Sequence, residues 1–535
     1  MTPEVRLTDA LLERDGRPFL VVGAELHNSS SSSVSAITRS LRAMREIGAN
    51  TVLAPVAWDL FEPQEGVYDF TLVDALIATA AAEGLAVIPL WFGSWKNGMS
   101  SYAPSWVKRD TARFPRAELR HAGPVEVLSP FGAESRAADA AAFRALLGRI
   151  RDVDTERVVL MVQVENEVGI LGDARDRSPL AEQAWAQQVP DAVIAAISGS
   201  GAGRLHEAWL AAGSPTGGTW ESVLGSAADE GFMAAAFATY IEAVAAAGRA
   251  EWDLPLFANA WLDTPVELDL PDMPAWAEMA GGESAGFYPS GGPLSHLAPI
   301  WRALAPSLDF LAPDIYFGDF DELCRRYSDA SGGRLFIPEM RRSPRGVGHM
   351  FLALGEHRAL GVAPFGVDSL LPGAAGYDDL SDGYRLLRAF ASVRKRVPSG
   401  SSRGFLLSAE QPSARFEFDG VTLQIDSADP SGLFPPVYPA YGALVETGHD
   451  EFVVIGRGFS VTFAPTDGSR VGILGATELA GPEAEEVVRR LGGDETGSGQ
   501  MVRFPALTAA TPAVFPIPFD MRSTGIVEIQ LYRYL

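Results

Sequence analysis

The sequence predicts an α/β chain: a (β/α)8 TIM barrel over residues 1–397, followed by a smaller all-β, sandwich-like domain over residues 398–535. Three observations carry this expectation. Short β-branched or aromatic runs alternate eight times with stretches of helical periodicity, and parallel strands need such crossovers. Eight units over this length favour a closed barrel, and no GxGxxG follows the first strand nor does any GxxxxGKS/T occur. Past the breaker-rich stretch Pro398-Ser399-Gly400-Ser401-Ser402 the texture changes to short strands.

Phe19–Gly23 reads as the first buried strand. Val34, Ile37, Leu41, Met44 and Ile47 then recur at spacings of three or four, which is one helix face, and Gly48 ends it. Thr51–Val56 is the second strand. Asp69 is a candidate N-cap for the stripe Leu72, Val73, Leu76, Ile77 and Ala80. Ala86–Trp91 is the third strand. After a long polar loop, Phe143, Leu146, Leu147 and Ile150 mark a helix, and Val158–Val164 is the fourth strand. Residues 228–249 are Ala-rich and helical. Pro255–Asn259, Leu308–Pro313, Leu335–Pro338 and Ala359–Val367 complete the eight. The long connections 96–135 and 262–300 fall where βα loops build a binding face. A last helix carries Tyr384, Leu387, Phe390 and Val393. Beyond the boundary, Arg415–Phe418, Asp419-Gly420 and Val421–Ile425 read as a hairpin with a type I′ turn.

The charge balance of 43 basic against 68 acidic residues, −25 net, disfavours a nucleic-acid groove or an anionic-lipid surface, both of which need clustered Lys and Arg. One cysteine, Cys324, leaves no internal disulfide and no Cys-based zinc cluster. The histidines are scattered without a His-x-x-x-His pair. No signal peptide or membrane-length apolar run is apparent, so a cytoplasmic protein is expected. The expected partners are a carbohydrate substrate and, at most, further copies of the chain; no metal or organic cofactor is expected.

Catalytic groups of a barrel sit at the C-terminal ends of its strands. Acidic and polar residues follow four of the runs: Glu25 and His27, then Glu165-Asn166-Glu167, then Asp314 and Tyr316, then Glu339. Glu167 and Glu339 come from different strands into one mouth, the minimum equipment for glycoside hydrolysis. One protonates the leaving oxygen; the other attacks the anomeric carbon or activates water. Glu165 alternates to the opposite side from Asn166, so it reads as support as readily as chemistry. Trp95 and Trp261 follow the third and fifth strands, where an aromatic plane could stack on a sugar. Trp58 and Trp106 divide evenly between packing and a subsite. Glu25 and Asn28 are candidate hydroxyl contacts, and Tyr288 could reach the mouth from its loop. Lys96 and Asn97 read either as hydroxyl donors or as a solvated loop. His27 is an orienting group as readily as a ligand contact.

The segments GAELHNS (Gly23–Ser29), NTVLAPVAWDLFEPQEGVYDF (Asn50–Phe70) and VQVENEVG, with Glu339 after the seventh strand, resemble family 35 of the clan A retaining glycosidases over residues 15–370. That resemblance implies an exo-acting β-galactosidase with Glu167 as acid/base, Glu339 as nucleophile, Asn166 at the sugar 2-hydroxyl and Tyr316 touching the nucleophile. Family 42 β-galactosidases share the barrel and both glutamates and are the neighbouring reading. The chain departs from family 35 where Pro55 replaces a Tyr, and where Phe92-Gly93-Ser94-Trp95 replaces Cys-Ala-Glu-Trp. The missing Glu normally reads distal hydroxyls, which leaves a β-glucosidase or β-glucosyl transglycosidase as the alternative activity.

Overall fold

The computed structural model describes residues 5–8, 11–264, 284–398, 400–427, 436–466, 468–507 and 523–534. Eight strands form one parallel sheet: Val21–Glu25, Thr51–Ala57, Ala86–Lys96, Val162–Asn166, Leu256–Trp261, Phe310–Asp314, Phe336–Met340 and Gly361–Pro364. Counted in chain order, their spatial order is 6-5-4-3-2-1-8-7. The ring closes between the sixth and seventh, where Ile315 bridges Met340 and the Ile315 N–H donates to the Glu339 carbonyl at 2.9 Å. The (β/α)8 barrel expected from the alternation is therefore present. Nearly every strand residue is buried, as a sheet covered on both faces requires.

Most strands begin or end later than the apolar runs suggested. The third runs on to Lys96, the fourth to Asn166 and the sixth to Asp314. Polar residues continue the ladder at these ends because the mouth, rather than solvent, receives their side chains. Between the fourth and fifth strands lies the helix Ala228–Arg249. Its glycine at 248 admits the Phe143 ring from helix Ala133–Val153. The segment Trp220–Arg249 is long and apolar enough to cross a membrane by length and composition, which the sequence reading did not expect. Of an apolar 18-residue stretch within it, 67% is buried inside the protein, so the apolar surface is used in packing.

Contacts divide the chain into two units. The first comprises Met1–Arg45, Asn50–Met340 and Ala363–Ser369, and the second Glu46–Ala49, Arg341–Val362 and Leu370–Leu535. Helices Pro344–Gly355 and Tyr377–Arg394 thus group with the C-terminal strands. Small residues permit this: Gly348 lies against Leu406 and Gly355 against the backbone of Gly404. A buried ion pair, Arg457 Nε to Asp382 Oδ2 at 2.8 Å, joins the last helix to a strand.

The strands of the second unit form two antiparallel sheets. Six strands are ordered Ser402–Leu407, Ala440–Gly448, Glu451–Arg457, Ile526–Tyr534, Arg470–Ala480 and Glu486–Arg490. Four are ordered Ser413–Phe418, Val421–Asp426, Phe459–Pro465 and Met501–Phe504. Phe405, Val454 and Ile529 of the first sheet meet Leu423, Phe459 and Phe504 of the second in one core, which makes the module a sandwich. The expected hairpin is present, with Phe418 opposite Val421. Its turn is not type I′, which needs positive φ at both central residues; Gly420 has φ 75° and Asp419 is not positive.

Candidate active site

Three strand ends converge on one group of side chains. Asn166 closes the fourth strand, Glu167 follows it, Asp314 closes the sixth and Glu339 lies one residue from the end of the seventh. Single carboxylate oxygens of Glu167, Asp314 and Glu339 all lie within 4.8 Å of one another, and all three residues are buried. Carboxyl groups this close relieve their repulsion by holding protons or by a nearby cation, and the chain supplies a cation as the Lys96 ammonium, only 6% exposed. Lys96 Nζ donates to Asn166 Oδ1 at 2.9 Å, and Asn166 Nδ2 faces Glu339 Oε1 at 3.3 Å. The Tyr316 hydroxyl donates to Glu339 Oε2 at 2.9 Å.

The backbone is shaped to aim these groups. Glu165 and Glu167 have φ of 62° and 47°, a region costing about 1–3 kcal/mol for a residue with a Cβ. The cost is met by bonds around the kink. The Glu167 N–H donates to Asn259 Oδ1 at 3.0 Å, and Asn259 Nδ2 donates to Asp314 Oδ2 at 2.7 Å. Asn259 escaped the sequence reading because it sits inside an apolar run and carries no chemistry of its own.

Charge follows burial here. Glu167 is raised to about 7 by desolvation and then by the charge of Glu339, with Lys96 opposing. Asp314 stands well above the usual carboxylate range through burial and the charges of Glu339, Glu167 and Glu25. Glu25, fully buried at the end of the first strand, is also raised strongly, first by burial and then by Glu339. Both of its oxygens lack a hydrogen-bond partner, so a ligand's hydroxyls could satisfy them. The Tyr316 hydroxyl is pushed far up by burial and the same carboxylates, so it stays a donor.

The remaining sequence candidates separate. Trp261 is half-buried at the fifth strand end, in register with Asp314, and keeps its place at the mouth. Trp95 does not. It is fully buried, its indole N–H donates to the Leu128 carbonyl at 3.1 Å, and its ring packs on Tyr240 and Phe237. Eleven residues of strand, rather than six, carry it into packing instead of onto a loop. Tyr288 is also corrected. Its buried hydroxyl donates to Glu230 at 2.9 Å, a carboxylate that also meets His296 and Arg204. Asn28 lines a cavity of about 150 Å³ with Ser31, Asp59 and Tyr102, and none of Glu25, Glu167 and Glu339 is in that lining. Trp58 and Trp106 pack edge-to-face on one another, with indole N–H groups donating to Glu62. His27 is half-buried: its backbone N–H donates to Asp368, and its ring meets Ser369 and Phe365.

Beneath the mouth, Glu165 turns away from Asn166, as strand alternation requires. Its oxygens accept from the N–H groups of Ser94 and Trp95 at 2.9 and 2.8 Å. Asp139 accepts from Trp91 Nε1 and from the Ser94 hydroxyl, which also meets Tyr240. Gly93 is the pivot of this support, since a Cβ there would land on Glu165 Oε1 and Trp91 Nε1. Gly93→Ala is expected to destabilise the protein by about 1–3 kcal/mol through overpacking, measured as a lowered midpoint of chemical denaturation.

Comparison with known proteins finds likenesses over part of the chain. The family described as β-galactosidase, glycoside hydrolase family 42, matches residues 28–210. It takes the place of family 35, to which the motifs pointed, and belongs to the neighbouring reading. A family described as a domain of unknown function (DUF5597) matches residues 380–503. A β-galactosidase of Xanthomonas manihotis is 31% identical over 169 residues, 30% of this chain and 25% of the relative. An exo-β-D-glucosaminidase of Pyrococcus horikoshii is 37% identical over 94 residues, 14% of this chain and 12% of the relative. The chain thus spans a quarter or less of the length of these curated relatives. Among solved structures, the β-galactosidase of Marinomonas ef1 aligns at TM-score 0.47 and 12% identity, covering 71% of this chain and 62% of that one. The β-galactosidase of Rahnella sp. R3 aligns at TM-score 0.45 and 15% identity, over 70% and 56%. Residues 28–210 of the barrel segment are thus similar to glycoside hydrolase family 42.

Proposed function

We propose that the protein is a retaining exo-β-glycosidase that removes terminal β-galactosyl residues. The observation that carries this is the pairing of Glu167 with Glu339, oxygens within 4.8 Å, from different strand ends. Retaining enzymes hold their carboxyl groups about 5–5.5 Å apart, and inverting ones leave about 6.5–9.5 Å for a water. The galactosyl preference is supported by the descriptions of the family matched over residues 28–210 and of the Xanthomonas relative.

Glu339 attacks the anomeric carbon as a carboxylate and forms a glycosyl ester, while Glu167 gives its proton to the departing oxygen. Glu167 at about 7 holds that proton at and below neutral pH. Ester formation removes the negative charge of Glu339, one of the two causes that raise Glu167. The same carboxyl then becomes the stronger acid, and its conjugate base takes a proton from the water that releases the sugar. Tyr316 and Asn166 hold the nucleophile through its two oxygens.

A panel of aryl β-glycosides tests this, with the product followed by NMR. Hydrolysis of the β-galactoside with the β-anomer appearing first is expected. Preference for the β-glucoside would move the assignment to a glucosidase. The α-anomer appearing first would mean inversion, and no turnover on any member would end the glycosidase reading.

A further inference from the structure

We propose that Lys96 is a positioning residue for the two glutamates, acting through Asn166 and through its own charge, an assignment that rests on the glycosidase reading above. Lys96 closes the third strand in register with Asn166. Its Nζ donates to Asn166 Oδ1 at 2.9 Å, which fixes the amide with Nδ2 toward Glu339 at 3.3 Å. With the amide reversed, an oxygen would face the Glu339 carboxylate and Nδ2 would face the ammonium, so the cation selects one rotamer.

The backbone keeps Lys96 in place. Its N–H donates to the Met99 carbonyl at 2.7 Å, closing a turn. Within the turn, the Asn97 and Gly98 N–H groups donate to the carbonyls of Asn166 and Glu167 at 3.2 and 3.1 Å. The turn after Lys96 is thereby tied to the very residues that carry the acid. The ammonium stands 5.0 Å from the centre of the Phe92 ring, a second favourable contact for a cation.

The charged groups acting on it come from four other strand ends: Glu339, Glu167, Glu25 and Asp314. Burial alone would lower the lysine, but these carboxyls outweigh burial and hold it charged. In return the ammonium lowers Glu167 and Glu25 against their own burial. Tyr102 also feels the ammonium. Lys96 therefore stops Glu167 from rising so far that it could give up its proton only with difficulty. It need not touch the reacting atoms to do this.

Two variants separate the two routes. Lys96→Gln keeps a donor for Asn166 and removes the charge; Lys96→Met removes both. The pH profile of kcat/KM on a β-glycoside whose leaving group is a sugar hydroxyl is measured for each beside wild type. The descending limb, set by Glu167 and near pH 7 in wild type, is expected to move up by about one unit in both variants. In Lys96→Met, kcat is expected to fall by about 10²-fold with KM changed much less, because Asn166 is no longer oriented. A merely structural lysine would lower the unfolding temperature and leave the limb in place, and that result overturns the proposal. If Lys96→Met does not fold, Lys96→Gln decides. Wild type inactive on every glycoside would instead refute the glycosidase reading. An infrared titration of the Glu167 carboxyl then decides on Lys96, with an upward shift in Lys96→Gln expected and no shift overturning the assignment.

Discussion

Glu339→Ala is expected to cut turnover of an aryl β-galactoside by about 10⁴-fold or more while the protein unfolds at or above the wild-type temperature. The loss follows from deleting the carboxyl in the mouth that both Tyr316 and Asn166 hold in place. Stability is not expected to suffer, because the substitution relieves crowding. Glu339 heads or nearly heads the charges that raise Glu25, Glu167 and Asp314. Removing one of several like charges in a buried site favours the folded state even as it leaves a small void. The measurement is kcat on the variant together with a thermal melt. Added azide should restore turnover by entering the vacated side and giving a glycosyl azide of inverted configuration. Wild-type activity in a correctly folded variant would remove Glu339 from its role.

Glu167→Gln carries the second large effect, and its signature is different. For glycosides whose leaving group is a sugar hydroxyl, the rate is expected to fall by about 10²–10⁴-fold, the usual worth of a positioned general acid. Aryl glycosides with acidic phenols need no proton to depart, so their first step should be nearly spared and the glycosyl-enzyme should accumulate. The pH profile adds an independent check. Wild type needs Glu167 protonated for the first step, so kcat/KM should decline above about pH 7, and that decline should vanish in Glu167→Gln. A limb that persists in the variant would assign it to another group.

Which parts of this were legible in the sequence follows from physics. The barrel was legible because its strands are covered on both faces and so read as apolar runs, such as Ala86–Trp91, between periodic helices. The carboxyl groups were legible because a barrel exposes its chemistry where those runs end. Strand ends were placed too early for the same reason: past an irregularity after Trp91 the third strand resumes pairing at Lys96, and the polar side chains of Ser94 and Lys96 are buried by the network itself. Trp95 and Tyr288 were misplaced because a large aromatic after a strand looks alike whether a sugar or a neighbouring helix covers it; only Tyr240 and Glu230, distant in sequence, decide. Asn259 and Asp139 could not be found by pattern, since each acts by holding a partner brought near only by folding. Lys96 was visible as a residue, but its burial depends on carboxyls from four other strands.

The crowding of acids at the mouth has a consequence for folding itself. Glu167 would titrate at its ordinary 4.5 in an extended chain and does so at about 7 in the folded one. Glu25, Glu165 and Asp314 move in the same direction. Between about pH 4.5 and 7 the folded chain therefore holds protons that the unfolded chain has released, and folding draws them from the buffer. The native state binds more protons, so the contribution of these groups to stability is fullest on the acid side and is lost as pH rises through the window. The arrangement that arms a general acid at neutral pH thus makes the barrel mouth a proton sink, steadied by mild acid where a site held by ionised carboxylates would be weakened.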